Sequence, residues 1–436
     1  MIGRIANLFR VADIRSRLWV TFLFLVVYRI GMNVPIPGAD MEAFNKILSG
    51  REQGGLDFIN FVNMLSGGSI GGVALFSLGI MPYISASIIL SLLVKVIPSL
   101  ENIQKEGQAG QRKINQWTRW LTVPLAVIQA IIVVSSTYRN PSLAAQLDGH
   151  FLLLSGFLPT FSAILALTAG TVFLMWVGEQ ITEHGIGNGV SLLIMCGIIA
   201  RLPENVRKLV LTHPSAVTPI LLLVLFFAVV VVVVYISKGT RRIPVQFAKL
   251  MRGRRMMGGN KHFLPIKVNQ AGVMPVIFGS SLLALPQLIA SALNWDWLKS
   301  TTLPGSWFYT VADVALIYFF SFFWTSLMFN PAEMSKNMKE QGTFIPGIRP
   351  GRHTADFLHR VMIHVTLAGA TFLAIIAIVP GWLAREADAQ GAVAQFLGGT
   401  SILIVVSVAL DLVDKLNSSL LMRRYEGFMG GEGEKD

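Results

Sequence analysis

Apolar residues come in blocks along this chain, and the blocks set its organisation. A bilayer core about 30 Å thick takes about 20 mostly apolar residues per helix. Blocks near that length predict ten membrane-spanning helices, over 18–35, 74–95, 117–137, 156–177, 186–201, 215–236, 270–292, 309–329, 360–380 and 398–416. The fifth is short and led by glycines. The stretch 56–73 differs from all of them. Its first part, Leu56 to Leu65, is amphipathic but too short to span, and Ser66-Gly67-Gly68-Ser69-Ile70-Gly71-Gly72 follows. Each glycine costs a helix about 1 kcal/mol relative to alanine, so that run is a hinge. A short helix on a hinge before a full span predicts a half-inserted segment. Such backbone survives at membrane depth only against protein or a water-filled cavity.

Composition agrees with the blocks. Of the 436 residues, 53% are hydrophobic and 14% charged, where a soluble domain carries about a quarter charged. The one cysteine, Cys196, lies in an apolar block, can form no internal disulfide and has no companions for a metal site. Arg4, Arg10, Arg15 and Arg17 precede the first block as in a secretory signal. That block outruns a signal's apolar core, shows no small-residue cleavage pattern and ends at Pro35-Ile36-Pro37-Gly38, so it reads as a retained helix.

Charge then orients the spans. With the N-terminus cytoplasmic, 27 of the 36 Lys and Arg fall on the cytoplasmic side, and ten spans bring the C-terminus back to it. Arg201, Arg207 and Lys208 dissent on the outer side. The net charge is +12, and the richest loop, 238–267, holds nine Lys or Arg and no acid. Two readings stay open for it. One is ordinary topological bias with contact to anionic phospholipid headgroups. The other is a docking surface for an anionic partner such as RNA or an acidic protein face.

The interior narrows the function. Ionisable groups inside spans mark ion pathways and coupled transport. Here Arg29, Lys95, Glu179 and Asp411 lie near helix ends, and no span carries a mid-helix acid–base set. That argues against proton- or sodium-coupled transport, although a secondary transporter of a small solute remains the alternative class. No protease, hydrolase or metal signature is present, so no catalytic residue, metal or cofactor is expected. Gly185-Ile186-Gly187-Asn188-Gly189 follows a span, not a strand, and does not match a phosphate loop. In the second span, Ile80 and Ile84 share a face while Ser85 and Ser87 point elsewhere. Pro82 invites a kink there. Gln129 and Asn269 are isolated amides whose plainest role is an interhelical hydrogen bond.

Five stretches resemble the SecY family of protein-translocation channels: Leu78 to Ile89, Gly178 to Gly189, Leu264 to Pro275, Phe344 to Gly351 and Gly398 to Ile404. They fall in the family's order across nearly the whole chain. The resemblance implies an all-α membrane protein of ten helices in two inverted five-helix halves, about 1–205 and 206–420, with a cytosolic tail at 421–436. It implies a pore narrowed by a ring at Ile80, Ile84, Ile194, Ile277 and Ile404. Isoleucine is stiff and bulky, and a narrow apolar ring dewets and blocks ions. It implies a plug at about 56–73, with Phe61, Asn63, Ser66, Gly67 and Gly68 on its motif. A lateral gate between spans 2–3 and 7–8 would be lined by Ser85, Ser87, Gln129 and Asn269. Ser91 departs from a glutamine common in bacterial members, which would thin that polar network. The loops 238–267 and 330–357, with Arg254, Arg255 and Arg349, would dock the ribosome and the SecA ATPase. SecE and SecG are the implied subunits, a secretory polypeptide the implied passenger and the bacterial inner membrane the implied location.

Overall fold

The structure is a computed structural model. It describes residues 12–38, 74–135, 156–212, 217–247, 250–252, 255–257, 261–292, 295–302, 306–386 and 399–429. The expected plug, with Phe61, Asn63, Ser66, Gly67 and Gly68, lies outside the described residues, as do Arg254 and the end of the tail.

The described chain is mostly helical. Helix α1 covers Ala12–Gly31, α2 Met81–Val96, α3 Pro98–Lys105, α4 Gln108–Val133, α5 Phe157–His184, α6 Gly189–Thr212 and α7 Val217–Ser237. After the strands described below come α8 (Met274–Ala292), α9 (Asp296–Thr302), α10 (Trp307–Met328), α11 (Pro331–Glu340), α12 (Arg352–Glu386) and α13 (Gly399–Met429). Among the described residues, four helical stretches are long and apolar enough to cross a membrane: Phe157–His184, Ile220–Ser237, Trp307–Glu340 and Arg352–Leu383. A fifth counts if the bent pair α2–α3 is one span. Helices also occupy the other expected segments, but charge and length set them apart. Helix α1 carries Arg15, Arg17 and Arg29, and the first half of α4 carries Arg112, Lys113 and Arg119. The apolar parts of α6 and α8 are short, Gly189–Ala200 and Met274–Leu283.

Prolines place two of the boundaries. The expected span 74–95 is helical only from Met81, because Pro82 falls in the first turn of α2. There its missing N–H is no loss and its fixed φ suits the helix, so it starts α2 where a kink was expected. Pro98 opens α3 in the same way and holds Ile97 extended (φ −101°, ψ 111°). The chain bends by 101° between α2 and α3.

The helices pack in two groups. Helix α2 lies on α4, α4 on α5, and α5 on α6 and α1; α8 lies on α10, α10 on α12, and α12 and α7 on α13. The groups meet where α8 touches α2 and α4, and where α6 meets α13. One hydrophobic core runs through both, from Tyr28 and Phe76 to Leu403 and Val408.

The two basic loops contain strands that their charge concealed. Strand β1 (Thr240–Phe247) pairs antiparallel with β4 (Lys261–Lys267), placing Thr240 opposite Lys267 and Gln246 opposite Lys261. Strand β5 (Thr343–Phe344) joins the other edge of β1, so 238–267 and 330–357 form one unit. A small second core of Ile243, Ile266, Phe329, Ile345, Leu358 and Val361 sits beneath the sheet. A hairpin of β2 (Leu250–Arg252) and β3 (Arg255–Met257) sets Arg252 opposite Arg255.

Close approach at α5–α6 needs glycine. A Cβ on Gly189 would collide with the carbonyl of Gly178. The Gly189 N–H donates to Thr182 Oγ1 at 2.9 Å. Gly189→Ala is expected to cost about 1–3 kcal/mol by forcing these helices apart, read as a lower melting temperature in detergent.

Candidate functional site

The candidate site is built on a run of turns before α2. Ser77 Oγ donates to the Ala74 carbonyl at 2.6 Å and accepts from the Ala74 N–H at 3.0 Å. Gly79 takes φ +57°, which an L side chain rarely adopts. Leu75 N–H donates to the Val34 carbonyl at 2.8 Å, tying the run to the end of α1. These bonds fix Ile80 as the residue capping α2. Ile84 follows one turn on, its N–H donating to the Ile80 carbonyl at 3.1 Å.

Three other helices carry the remaining isoleucines of the expected ring, which belong to the same hydrophobic core. Ile194 comes from α6, Ile277 from the first turn of α8 and Ile404 from α13. All five are at most 5% exposed and belong to one hydrophobic core. Gly178 of α5 packs close to Ile80 Cδ1. The arrangement offers no acid, base or nucleophile, and no group of three or more metal-ligating side chains exists among the described residues. What it can do is exclude water and ions while its helices stay together.

Helix α8 touches α2, which carries Ser85 and Ser87, and α4, which carries Gln129. Ser85 on α2 and Gln129 on α4 are buried, and Ser87 and Ser91 on α2 are half-buried. Ser281 of α8 approaches Met81 Sδ of α2 at 3.8 Å. Asn269 precedes α8, and its Nδ2 donates to the Gly272 carbonyl at 2.9 Å. In this packing, then, the Asn269 amide shapes the turn into α8.

Arg349 is exposed on a tight turn between Gly347 (φ +84°) and Gly351 (φ +100°). A Cβ at either glycine would meet nothing, so backbone conformation alone demands glycine there. Thr354 Oγ1 donates to the Arg349 carbonyl at 3.0 Å, and Ser335 Oγ to the Gly351 carbonyl at 2.6 Å. Arg255 stands in β3, in the same basic region as Arg241 and Arg242 of β1.

Two features escaped the sequence reading. Arg119 Nε of α4 meets Glu179 Oε1 of α5 at 2.6 Å, sixty positions apart in the chain. Asp313 lies inside an expected span and is buried. A lone acid in an apolar block was its signal, and a pattern of mid-helix acid–base pairs does not include it.

Solved structures share this arrangement. One described as a protein-conducting channel superposes with a TM-score of 0.63 over 93% of this chain and 92% of its own, at 20% identity. Sec61 from a canine ribosome–channel complex gives 0.58 over the same shares, at 18% identity. The fold is therefore that of polytopic helical membrane channels. The SecY family model matches residues 74–413, and the chain belongs to the SecY family. A protein translocase subunit SecY of Corynebacterium glutamicum is 43% identical over 98% of this chain and all of its own length. The Escherichia coli K12 protein of the same description is 41% identical over 95% of this chain and 93% of its own.

Ser77→Ala would leave the buried Ala74 N–H without its side-chain acceptor. The expected cost is about 1–3 kcal/mol, seen as a lower unfolding midpoint.

Proposed function

We propose that this chain is the pore-forming subunit of a gated channel that moves unfolded secretory proteins across the bacterial inner membrane. The observation that supports the reading is that Ile80, Ile84, Ile194, Ile277 and Ile404, carried by α2, α6, α8 and α13, are all buried in one hydrophobic core. A constriction of that kind dewets and blocks ions, yet spreads around a passing chain without selecting its chemistry. Full-length relatives carrying the description "Protein translocase subunit SecY" support the same reading.

The finer assignments follow from it. Ten spans form two five-helix halves that open like a clam shell, with both termini in the cytoplasm. The plug at 56–73 seals the outer side of the ring. The seam of α2 and α4 against α8 is the lateral gate, and Ser85, Ser87, Gln129 and Asn269 tune its closure. Weak interhelical polar contacts, each worth about 1 kcal/mol, suit a gate that holds shut and still opens to release hydrophobic segments into lipid. The basic hairpins and the Arg349 turn are the docking face for the ribosome and SecA, which supply the energy. Joining both loops in one sheet lets a single partner read charge and shape together. SecE and SecG complete the channel, and anionic phospholipid surrounds its cytoplasmic rim.

Planar-bilayer recording of the assembled complex tests the pore. Ile84→Asn, Ile277→Asn or Ile404→Asn, and deletion of 58–66, are expected to make the resting channel leak ions. Ion-tight variants at all of these positions would remove the ring and plug assignments. Arg349→Glu is expected to weaken SecA-dependent translocation about tenfold or more while the resting seal stays intact, because it reverses charge on the docking face. Translocation into proteoliposomes measures it.

A further inference from the structure

The end of the bundle away from the sheet displays tryptophans that the pore does not use. Helix α8 leaves the sheet after β4, and α10 returns to it through α11 and β5, so the connection between them lies at the far end. That connection contains α9, which packs on both α8 and α10. Trp295 and Trp297 are 59% and 73% exposed, and Trp307 at the start of α10 is 78% exposed. The support beneath them is fixed. Thr302 is buried, and its Oγ1 donates to the Leu298 carbonyl at 2.6 Å. Ser306 caps α10 by accepting from the Tyr309 N–H at 3.1 Å, while its Oγ donates to the Thr301 carbonyl. Large apolar rings held out from such a support mark a contact surface, because each leaves apolar area worth about 25 cal/mol per Å² unburied.

The length of α10 sets the level of this surface. Its 22 residues rise by about 33 Å, close to the hydrocarbon thickness of a bilayer. A helix only just long enough to cross puts its first residue, Trp307, at the lipid–water boundary. Below it Phe308, Val311, Ala315 and Phe319 are exposed at helical spacing, on the face opposite buried Ile317 and Phe320. Trp307 and Phe308 head that stripe, so the apolar outer surface of α10 runs up to α9. Helical period gives α9 three sides. Leu298 and Thr302 share the side where Thr302 is buried, and Trp297 stands beside it, exposed. Asp296, Lys299 and Ser300 take the remaining positions. Protein, lipid and water each find a matching side. Helix α12, whose Leu358 belongs to the small core beneath the sheet, carries exposed Trp382 toward the same far end.

We propose that α9, with Trp295, Trp297 and Trp307, is a docking surface for the phospholipid interface, seated where headgroups meet acyl chains in the leaflet away from the sheet. Tryptophan suits that zone because its ring is apolar and its indole N–H still needs a polar partner, which headgroups and water supply there. No headgroup charge is required. The surface holds the far end of α8, one wall of the proposed gate, at a fixed depth, while β4 ties the near end to the sheet. It depends on α10 crossing the bilayer, as the channel reading has it, and the controls below separate the two.

The test uses the full chain with its accompanying subunits, made free of cysteine, in vesicles of phosphatidylcholine and phosphatidylglycerol. Cys196→Ser removes the chain's one cysteine. A nitroxide label is then placed singly through Trp297→Cys or Trp295→Cys. Phe319→Cys, midway along α10, and Phe263→Cys, exposed on β4, serve as lipid and water controls. Electron spin resonance measures collisions of each label with oxygen, which concentrates in lipid, and with a water-soluble nickel chelate. The oxygen-to-nickel ratio at 297 should fall between those of the two controls. The proposal is overturned if that ratio equals the value at 263, which places α9 in water, or the value at 319, which places it in hydrocarbon. It is equally overturned if the label meets neither reagent, because protein then covers the surface. If the label at 319 itself reads as water, the membrane-spanning reading fails as well. Should Trp297→Cys fail to assemble, Trp295→Cys decides by the same comparison.

Discussion

Every backbone amide and every charge at membrane depth has to find its partner inside the protein, because lipid offers none. Most of this fold follows from that constraint. Threonine and serine hydroxyls bond back to their own helices, as Thr118, Thr122, Thr171 and Ser280 do. Pro82, Pro98 and Pro331 stand in the first turn of a helix. The non-helical run before α2 is stitched by Ser77 and by the bond from Leu75 to Val34. The loop into α6 is held likewise, with the Ile186 N–H donating to Thr21 Oγ1 of α1 at 3.2 Å. In both of these places a named partner satisfies the irregular backbone.

The same constraint explains the character of the candidate pore. A polar constriction would need partners in every state, and a moving channel cannot guarantee them. Isoleucines need none. Their contacts are dispersion and exclusion of water, which weaken smoothly as helices separate. Firm polar fixings lie away from the ring. The Arg119–Glu179 pair ties α4 to α5, and the Arg349 turn is bonded through Ser335 and Thr354. Asp313 Oδ1, Ser321 Oγ and Ser407 Oγ are exceptions, buried without a hydrogen-bond partner among the described residues.

Relation to the SecY family rests on sequence over nearly the full length, and the shared fold on structures of much lower identity. The parts that agree best with expectation are those that lipid dictates: helices over the apolar blocks and basic residues in the connections. Differences arose where geometry at short range took over. Pro82 started a helix it was expected to bend, and Asn269 closed its own turn at Gly272. The basic loops turned out to hold strands. Ile243 and Ile266 face a small core there, but interleaved arginines and lysines mask their alternation in the sequence.

The sequence by itself determined that this is a membrane protein, which segments are helical, and which family it belongs to. Those properties are written in the length and order of apolar blocks and in long local motifs. It could not determine that Ile80, Ile194, Ile277 and Ile404 share one core, since each alone reads as an ordinary buried residue. Nor could it show Arg119 beside Glu179, or the Asp313 carboxyl against Gly279. Those are contacts between helices far apart in the chain. Helical period fixes which face a residue occupies, and only the packing of helix on helix decides what that face meets.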